Sequence, residues 1–209
     1  MGQVTTMDLE KLKAKVNPRF TALLTIDMQR DYCCPGGIFD RMGFDIEAAA
    51  RLGPRLDAFV SRTRGVVSRT IHIKMELNPN LRSPALAEQY ERCGLQRKLE
   101  PAFSEFHGVT PAASDIVIPK YRYSAFVSTY LDQCLRSAEI KTLVLTGLAT
   151  NVCLESTARD GFMRDYHIVV PADMTEATSA EAKKAALFNI DTFFGEVVDS
   201  GALLRCWGC

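Results

Sequence analysis

The sequence predicts an α/β domain: a parallel β-sheet covered by helices on both faces. Two observations carry that reading. First, short apolar runs of strand length recur along the chain, at Thr21–Ile26 (TALLTI), Val66–Ile73 (VVSRTIHI), Asp115–Pro119 (DIVIP), Thr142–Thr146 (TLVLT), His167–Val170 (HIVV) and Glu196–Val198 (EVV). Second, several of the stretches between them place apolar residues three or four positions apart, the spacing of one helix face. Strands that alternate with helices pair in parallel and are buried on both sides. With 209 residues, 47% hydrophobic and 24% charged, the chain is long enough for one sizeable core.

Taken in order, residues 1–20 are an N-terminal extension with room for one short helix. The first run, TALLTI, has no polar alternation, as expected of a strand buried on both faces. CCPGG then forces a loop through Pro35, Gly36 and Gly37. Asp45 is placed to cap a helix whose apolar face is Ile46, Ala49, Ala50, Leu56, Phe59 and Val60. Residues 76–114 carry Pro79, Pro84, Pro101 and Pro111, so only short helices are expected there. Ser124–Ala138 reads as a helix, with Phe126, Tyr130, Leu131, Cys134 and Leu135 on one side. Another helix is expected near Asn151–Asp165. Thr178 and Glu181 form a possible capping box for the next, and Gly195 closes it. The main domain spans 21–201, and residues 202–209 read as a C-terminal tail.

Composition excludes several classes of partner. Lys+Arg and Asp+Glu are both 25, so no strong field favours nucleic acid or an anionic membrane. No apolar run reaches the roughly 18 residues of a membrane span. MGQVTTMDLEKLKAK lacks the apolar core of a signal peptide, and the expected address is the cytoplasm. Gly2 and Thr6 fit the loose myristoylation pattern, which arises readily by chance. The partner expected is a small molecule. Seven cysteines, an odd number, argue against a disulfide framework. The terminal CWGC has the spacing of a dithiol redox motif, but such motifs open helices, and a mobile tail is the plainer reading.

In a sheet of this kind ligands bind at the carboxyl ends of the strands. Just past the first strand stands Asp27, past the third Lys120, and past the fourth Gly147-Leu148-Ala149-Thr150 and then Cys153. A thiol attacks a carbonyl as thiolate, and both a helix N-terminus and the Lys120 ammonium are expected to lower its pKa. Asp27 suits a general base that takes the thiol proton and later returns it to a leaving amine. Each residue also has an ordinary alternative: a buried small cysteine, a turn-capping aspartate, a solvated lysine.

These residues sit in three longer motifs: IDMQRDY (Ile26–Tyr32), DIVIPKYRYSAF (Asp115–Phe126) and GLATNVCLESTARDGFMRDY (Gly147–Tyr166), with VVPADMTEAT (Val169–Thr178) after them. In these the chain resembles the isochorismatase-like cysteine hydrolases, from about Thr21 to Gly201. The resemblance implies a three-layer α/β sandwich with a six-stranded parallel sheet. It implies a catalytic triad of Asp27, Lys120 and Cys153. It further implies a cis peptide at Leu148–Ala149 and an oxyanion hole made of the N–H groups of Ala149 and Cys153. A homo-oligomer, dimer or tetramer, is implied by the same analogy.

Within the family, TNVCLESTARDG and KYRYSAF are most similar to the ureidoacrylate and biuret amidohydrolases, which act on carbamoyl compounds. Tyr32, Tyr123 and Phe126 are then candidates to line a small flat pocket, and Asn78 and Gln96 to bond an amide. Ordinary packing is an equal alternative for all five. Nicotinamidases, the nearest rivals, carry a D-x-H…H metal pattern after the second strand. Here that region reads IHIKMELNPN, with His72 inside the strand, so no catalytic metal or other cofactor is expected. True isochorismatases lack the nucleophilic cysteine. Arg92, Arg97 and Lys98 suit either an anionic substrate or a solvated face. A catalytically silent binding protein on the same fold is the alternative from another class.

Overall fold

The computed structural model describes residues 6–81, 83–95 and 101–209, without the side chains of residues 6–8 and Pro79. Gly2, Gln96, Arg97 and Lys98 lie outside the described residues. Six strands form one sheet: β1 Thr21–Ile26, β2 Arg69–Met75, β3 Ile116–Lys120, β4 Thr142–Gly147, β5 His167–Pro171 and β6 Glu196–Val198. Their spatial order is β3-β2-β1-β4-β5-β6, and every pairing is parallel. The helices are α1 Thr6–Lys15, α2 Arg30–Cys33, α3 Ile38–Arg41, α4 Ile46–Thr63, α5 Pro84–Arg92, α6 Leu131–Ser137, α7 Glu155–Phe162, α8 Ala180–Asn189 and α9 Ser200–Trp207. Helices flank the sheet, the sandwich that the alternating pattern predicts.

All six residues of β1 and all six of β4 are buried, which is why both read as unbroken apolar runs. They lie side by side at the centre, where the strand order reverses. Register brings the strand ends together. Ile26 is opposite both Ile73 and Gly147, and Met75 is opposite Lys120. The residues after β1 and β4, and the last residue of β3, therefore reach the same edge of the sheet. Switch points of this kind open the crevice in which parallel sheets bind ligands.

One local feature holds that edge, and another holds the body of the sheet. Gly147 has φ +99°, and a Cβ there would sit 2.2 Å from the Ile26 carbonyl oxygen. Only glycine lets β4 lie this close to β1 as it turns toward the site. Gly147→Ala should therefore cost about 2–4 kcal/mol of unfolding free energy, measurable by urea titration, because it adds both backbone strain and a clash. Nearby, buried His72 on β2 bonds Thr25 Oγ1 (2.7 Å) and Asp115 (3.1 Å), and Asp115 in turn pairs with Arg64. Burial leads the causes that hold its imidazole below the ordinary value, so it serves packing as a neutral ring.

Two predicted elements differ. Residues 121–130 do not join the following helix, which spans only Leu131–Ser137. Hydroxyls compete for the backbone there. Ser124 Oγ accepts from Phe126 N–H, Thr129 Oγ1 donates to the Ala125 carbonyl, and Ser128 has φ +58°. Residues 202–209 are no mobile tail. Asp199 caps α9 by accepting from Gly201 N–H, and Ala202, Leu203 and Cys206 are buried. Trp207 Nε1 donates to the Val16 carbonyl at 2.8 Å, tying α9 to the end of α1. The CWGC cysteines thus close a packed helix rather than open an exposed one.

Candidate active site

Asp27 follows β1 with φ +52°, a left-handed conformation that a non-glycine residue adopts at a cost. Its N–H donates to the Ile73 carbonyl and its own carbonyl accepts from Gln29 N–H, so the strained residue is fixed on both sides. Gln29 is itself fully buried. Its amide donates to the carbonyls of Met75 and Ser104 and accepts from Met75 N–H, stitching the ends of β1 and β2.

Lys120 ends β3 and is completely buried. Its Nζ lies 2.8 Å from Asp27 Oδ2, 3.3 Å from Cys153 Sγ and 3.2 Å from the Arg122 carbonyl oxygen. The three side chains meet, as their places past the strand ends suggest. The ion pair matches the charges, yet neither Asp27 oxygen receives a well-aligned hydrogen bond from the described residues. A carboxyl group this close to an ammonium and a thiol is placed to accept a proton.

Cys153 sits in a π-helical turn, Thr150–Leu154, that runs into α7. Turns of this width are frequent at functional sites. The turn is anchored from outside. Thr150 N–H and Oγ1 both donate to the Glu176 carbonyl, and Glu176 N–H donates to the Gly147 carbonyl. Thr157 Oγ1 donates to the Cys153 carbonyl (2.7 Å) and accepts from Ala125 N–H (3.0 Å). The N–H groups of Ala149 and Cys153 enter none of the hydrogen bonds between described residues outside the regular elements.

The electrostatics correct one expectation. Burial first, then the Asp27 carboxylate, pushes the Cys153 thiol up to about 12, and Lys120 opposes them without prevailing. For Lys120, burial disfavours the charge, but Asp27 and Cys153 more than offset it and hold the ammonium above its usual range. The resting site therefore holds an ammonium on Lys120 and a neutral thiol on Cys153 beside Asp27. The expected lowering of the thiol by a helix end fails because the sulfur is buried against an anion.

Beside this trio is a cavity of about 180 Å³, lined by Asp27, Cys153 and Ala149. Tyr32, Phe39, Phe44, Tyr90 and Tyr123 give it an aromatic wall. Asn151, Val152, Thr178, Met42, Gln89 and Cys93 complete the lining. Of the expected pocket residues, Tyr32 and Tyr123 are in place. Phe126 is not: it is buried against Tyr166, ring centroids 5.9 Å apart, behind the 121–130 turns. Asn78 is not either, because its Oδ1 accepts from Asn80 N–H and caps the turn Pro79–Leu81. The Leu148–Ala149 peptide is trans, and no cis bond occurs among the described residues. Leu148 N–H donates to the Ile26 carbonyl at 2.8 Å, which sets the path of the turn without one. Arg92 is exposed at the end of α5. Among the described residues no three His, Cys, Asp or Glu side chains converge as metal ligands.

Residues 21–202 match the model of the isochorismatase domain. The chain belongs to the isochorismatase family. It is 40% identical over 199 residues to the ureidoacrylate amidohydrolase RutB of Serratia proteamaculans (strain 568), an alignment that covers 87% of this chain and 80% of that protein. The fold is shared with a cysteine hydrolase from Pseudomonas syringae pv. phaseolicola 1448A (TM-score 0.81, 23% identity, 93% and 95% of the two chains). It is also similar to the N-carbamoylsarcosine amidase of Thermoplasma acidophilum (TM-score 0.66, 25% identity, 86% and 96%). Within this isochorismatase fold, the pocket residues that sequence reasoning missed are Asn151, Val152 and Thr178 around the Cys153 turn, and those of two further segments. Phe39, Met42 and Phe44 follow the CCPGG loop, and Gln89, Tyr90 and Cys93 lie at the end of α5. Neither segment carries a chemical motif. Asn151 had a signal, since it precedes Cys153 by two residues in TNVC.

Proposed function

We propose that the chain hydrolyses the C–N bond of a small carbamoyl or ureido compound through a covalent acyl-enzyme on Cys153. The observation that carries this is the buried juxtaposition of Asp27, Lys120 and Cys153 at the base of an aromatic cavity. The names of two relatives, a ureidoacrylate amidohydrolase and an N-carbamoylsarcosine amidase, support amide hydrolysis and a carbamoyl substrate. Aromatic walls suit a flat, conjugated group such as a urea.

The proposed steps follow from the resting charges. A thiol held at about 12 cannot ionise in advance near neutral pH. It must lose its proton to Asp27 as the sulfur bonds to the substrate carbonyl carbon, a general-base step. Lys120 stays protonated and balances the charge that passes from carboxylate to sulfur and on to oxygen. The carbonyl oxygen turns into the N–H groups of Ala149 and Cys153, donors that are worth about 3–4 kcal/mol of barrier when aimed at a developing oxyanion. Asp27 returns the proton to the leaving nitrogen, the C–N bond breaks, and an amine or ammonia departs. A water molecule, deprotonated by the same carboxylate, then attacks the thiocarbamate carbonyl; the C–S bond breaks, a carbamic acid leaves, and Asp27 returns the proton to the sulfur.

The test is ammonia release from ureidoacrylate, biuret, N-carbamoyl amino acids, nicotinamide and simple amides. The ureido and carbamoyl compounds are expected to give the highest kcat/KM. A preference for nicotinamide, or no turnover of any compound, would overturn the reading.

A further inference from the structure

We infer that Asn151 and Thr178 form a donor pair that binds a second acceptor oxygen of the substrate, beyond the scissile carbonyl. This rests on the ureido hydrolase reading and narrows it to compounds with two oxygen-bearing groups. Thr178 N–H donates to Asn151 Oδ1 at 3.2 Å. A backbone N–H can only donate, so that atom of the amide is the oxygen. The other amide atom is then Nδ2, and it lies 2.9 Å from Thr178 Oγ1. Nδ2 can only donate, so the hydroxyl oxygen accepts there and its own proton must point elsewhere. One N–H of Asn151 and the O–H of Thr178 are left over, and no other side-chain hydrogen bond of either residue is made with the described residues.

Both residues line the cavity with Cys153. Their positions are fixed by the same ladder that anchors the nucleophile turn. Gly147 bridges to Thr175, Glu176 N–H donates to the Gly147 carbonyl, and Thr150 donates twice to the Glu176 carbonyl. The segment from 175 to 178 thus runs alongside 147 to 151, and the pair cannot drift away from the thiol. Most of the remaining wall is aromatic or aliphatic, so two free donors there are concentrated polarity in an apolar cavity. In such pockets a few placed polar groups set orientation. The scissile carbonyl faces the backbone donors in the proposed mechanism, so these side-chain donors read a different oxygen. A carboxylate, as in a ureido acid, or a second amide carbonyl, as in biuret, supplies it.

The experiment compares wild type with Thr178→Val, which keeps the shape and removes the hydroxyl, and Thr178→Ser, which restores it. Two quantities are measured: kcat/KM for ammonia release, and the ligand concentration that half-protects Cys153 from iodoacetamide, resolved by peptide mass spectrometry. The ligands are ureidoacrylate, biuret and methylurea, the last with no second oxygen. Thr178→Val should weaken ureidoacrylate about tenfold to hundredfold if the oxygen is a carboxylate, or biuret about threefold to tenfold if it is a carbonyl. The loss for methylurea should be smaller by at least threefold, and Thr178→Ser should recover most of the difference. Equal losses on all three ligands, no loss, or no protection by either ureidoacrylate or biuret would each overturn the inference. The two readings separate cleanly. Wild-type turnover of a ureido compound with equal losses in Thr178→Val sinks only the donor pair. Selective protection without any turnover keeps the donor pair and sinks the hydrolase.

Discussion

Cys153→Ser and Cys153→Ala are each expected to lower ammonia release by at least about 10⁴-fold while the protein unfolds at nearly the wild-type denaturant concentration. The size follows from removing the thiol that lies beside Lys120 and Asp27; catalysis left over from binding and oxyanion donors is small by comparison. Serine is the sharper test. It keeps a hydroxyl of similar size in the same cavity, but an alcohol is a weaker acid than a thiol, and the sulfur here already holds its proton up to about 12. The fold should tolerate either change. The side chain is small, and the turn is held by Thr150, Thr157 and Glu176 rather than by the sulfur. Steady-state ammonia assays and urea titrations of the same preparations decide it. A serine variant within tenfold of wild type would remove the cysteine mechanism.

How much of this was legible in the sequence depends on what each inference needed. The sheet was legible because strands buried on both faces leave unbroken apolar runs, as TALLTI and TLVLTG do. That Asp27, Lys120 and Cys153 would meet was legible because parallel strands deliver their ends to one edge, and each residue ends a strand or follows one. The pocket wall was not. Phe39 and Tyr90 reach the cavity through the packing of segments whose local sequence has no period that points inward. Phe126 shows the reverse: an aromatic near a motif has the look of lining, but hydroxyl-bonded turns carry it into the core against Tyr166. The thiol's charge state is hidden from the sequence for a related reason. Proximity of an ammonium is visible from strand ends; burial beside a carboxylate is a three-dimensional fact, and here it dominates. α9 was missed because a short helix at a chain end is stabilised by what it packs on, and Val16 is 191 positions from its Trp207 partner.

The buried pair of Asp27 and Lys120 gives the second large prediction: both halves are needed for turnover, but only loss of Asp27 makes the thiol itself more reactive. Lys120→Met removes the ammonium that pairs with Asp27, its one ion-pair partner among the described residues, at a site with essentially no exposure. It should cost about 3–5 kcal/mol of stability, and ammonia release should vanish, because Asp27 is left buried without its partner and nothing offsets the charge that passes to sulfur and oxygen. Asp27→Asn leaves an ammonium beside a thiol. The Asp27 carboxylate is one of the two influences that raise the thiol, and Lys120 is the one that lowers it. Its removal should therefore bring the thiol pKa down, so that Cys153 reacts faster with iodoacetamide near neutral pH than in wild type. Amide turnover should nonetheless fall by about 10²–10⁴-fold, the usual contribution of a positioned base. The pH dependence of folding has the matching sign. Cys153 and Lys120 both hold their protons more tightly in the fold than in the open chain, so the stability they contribute is complete below the ordinary thiol value of 9.0 and is lost as pH rises toward about 12. Asp27→Asn should flatten that alkaline loss, and urea midpoints measured from pH 7 to 11 will show it. If Asp27→Asn instead leaves Cys153 as slow to alkylate as wild type, the carboxylate does not set the state of the sulfur, and the thiol must be held neutral by burial alone.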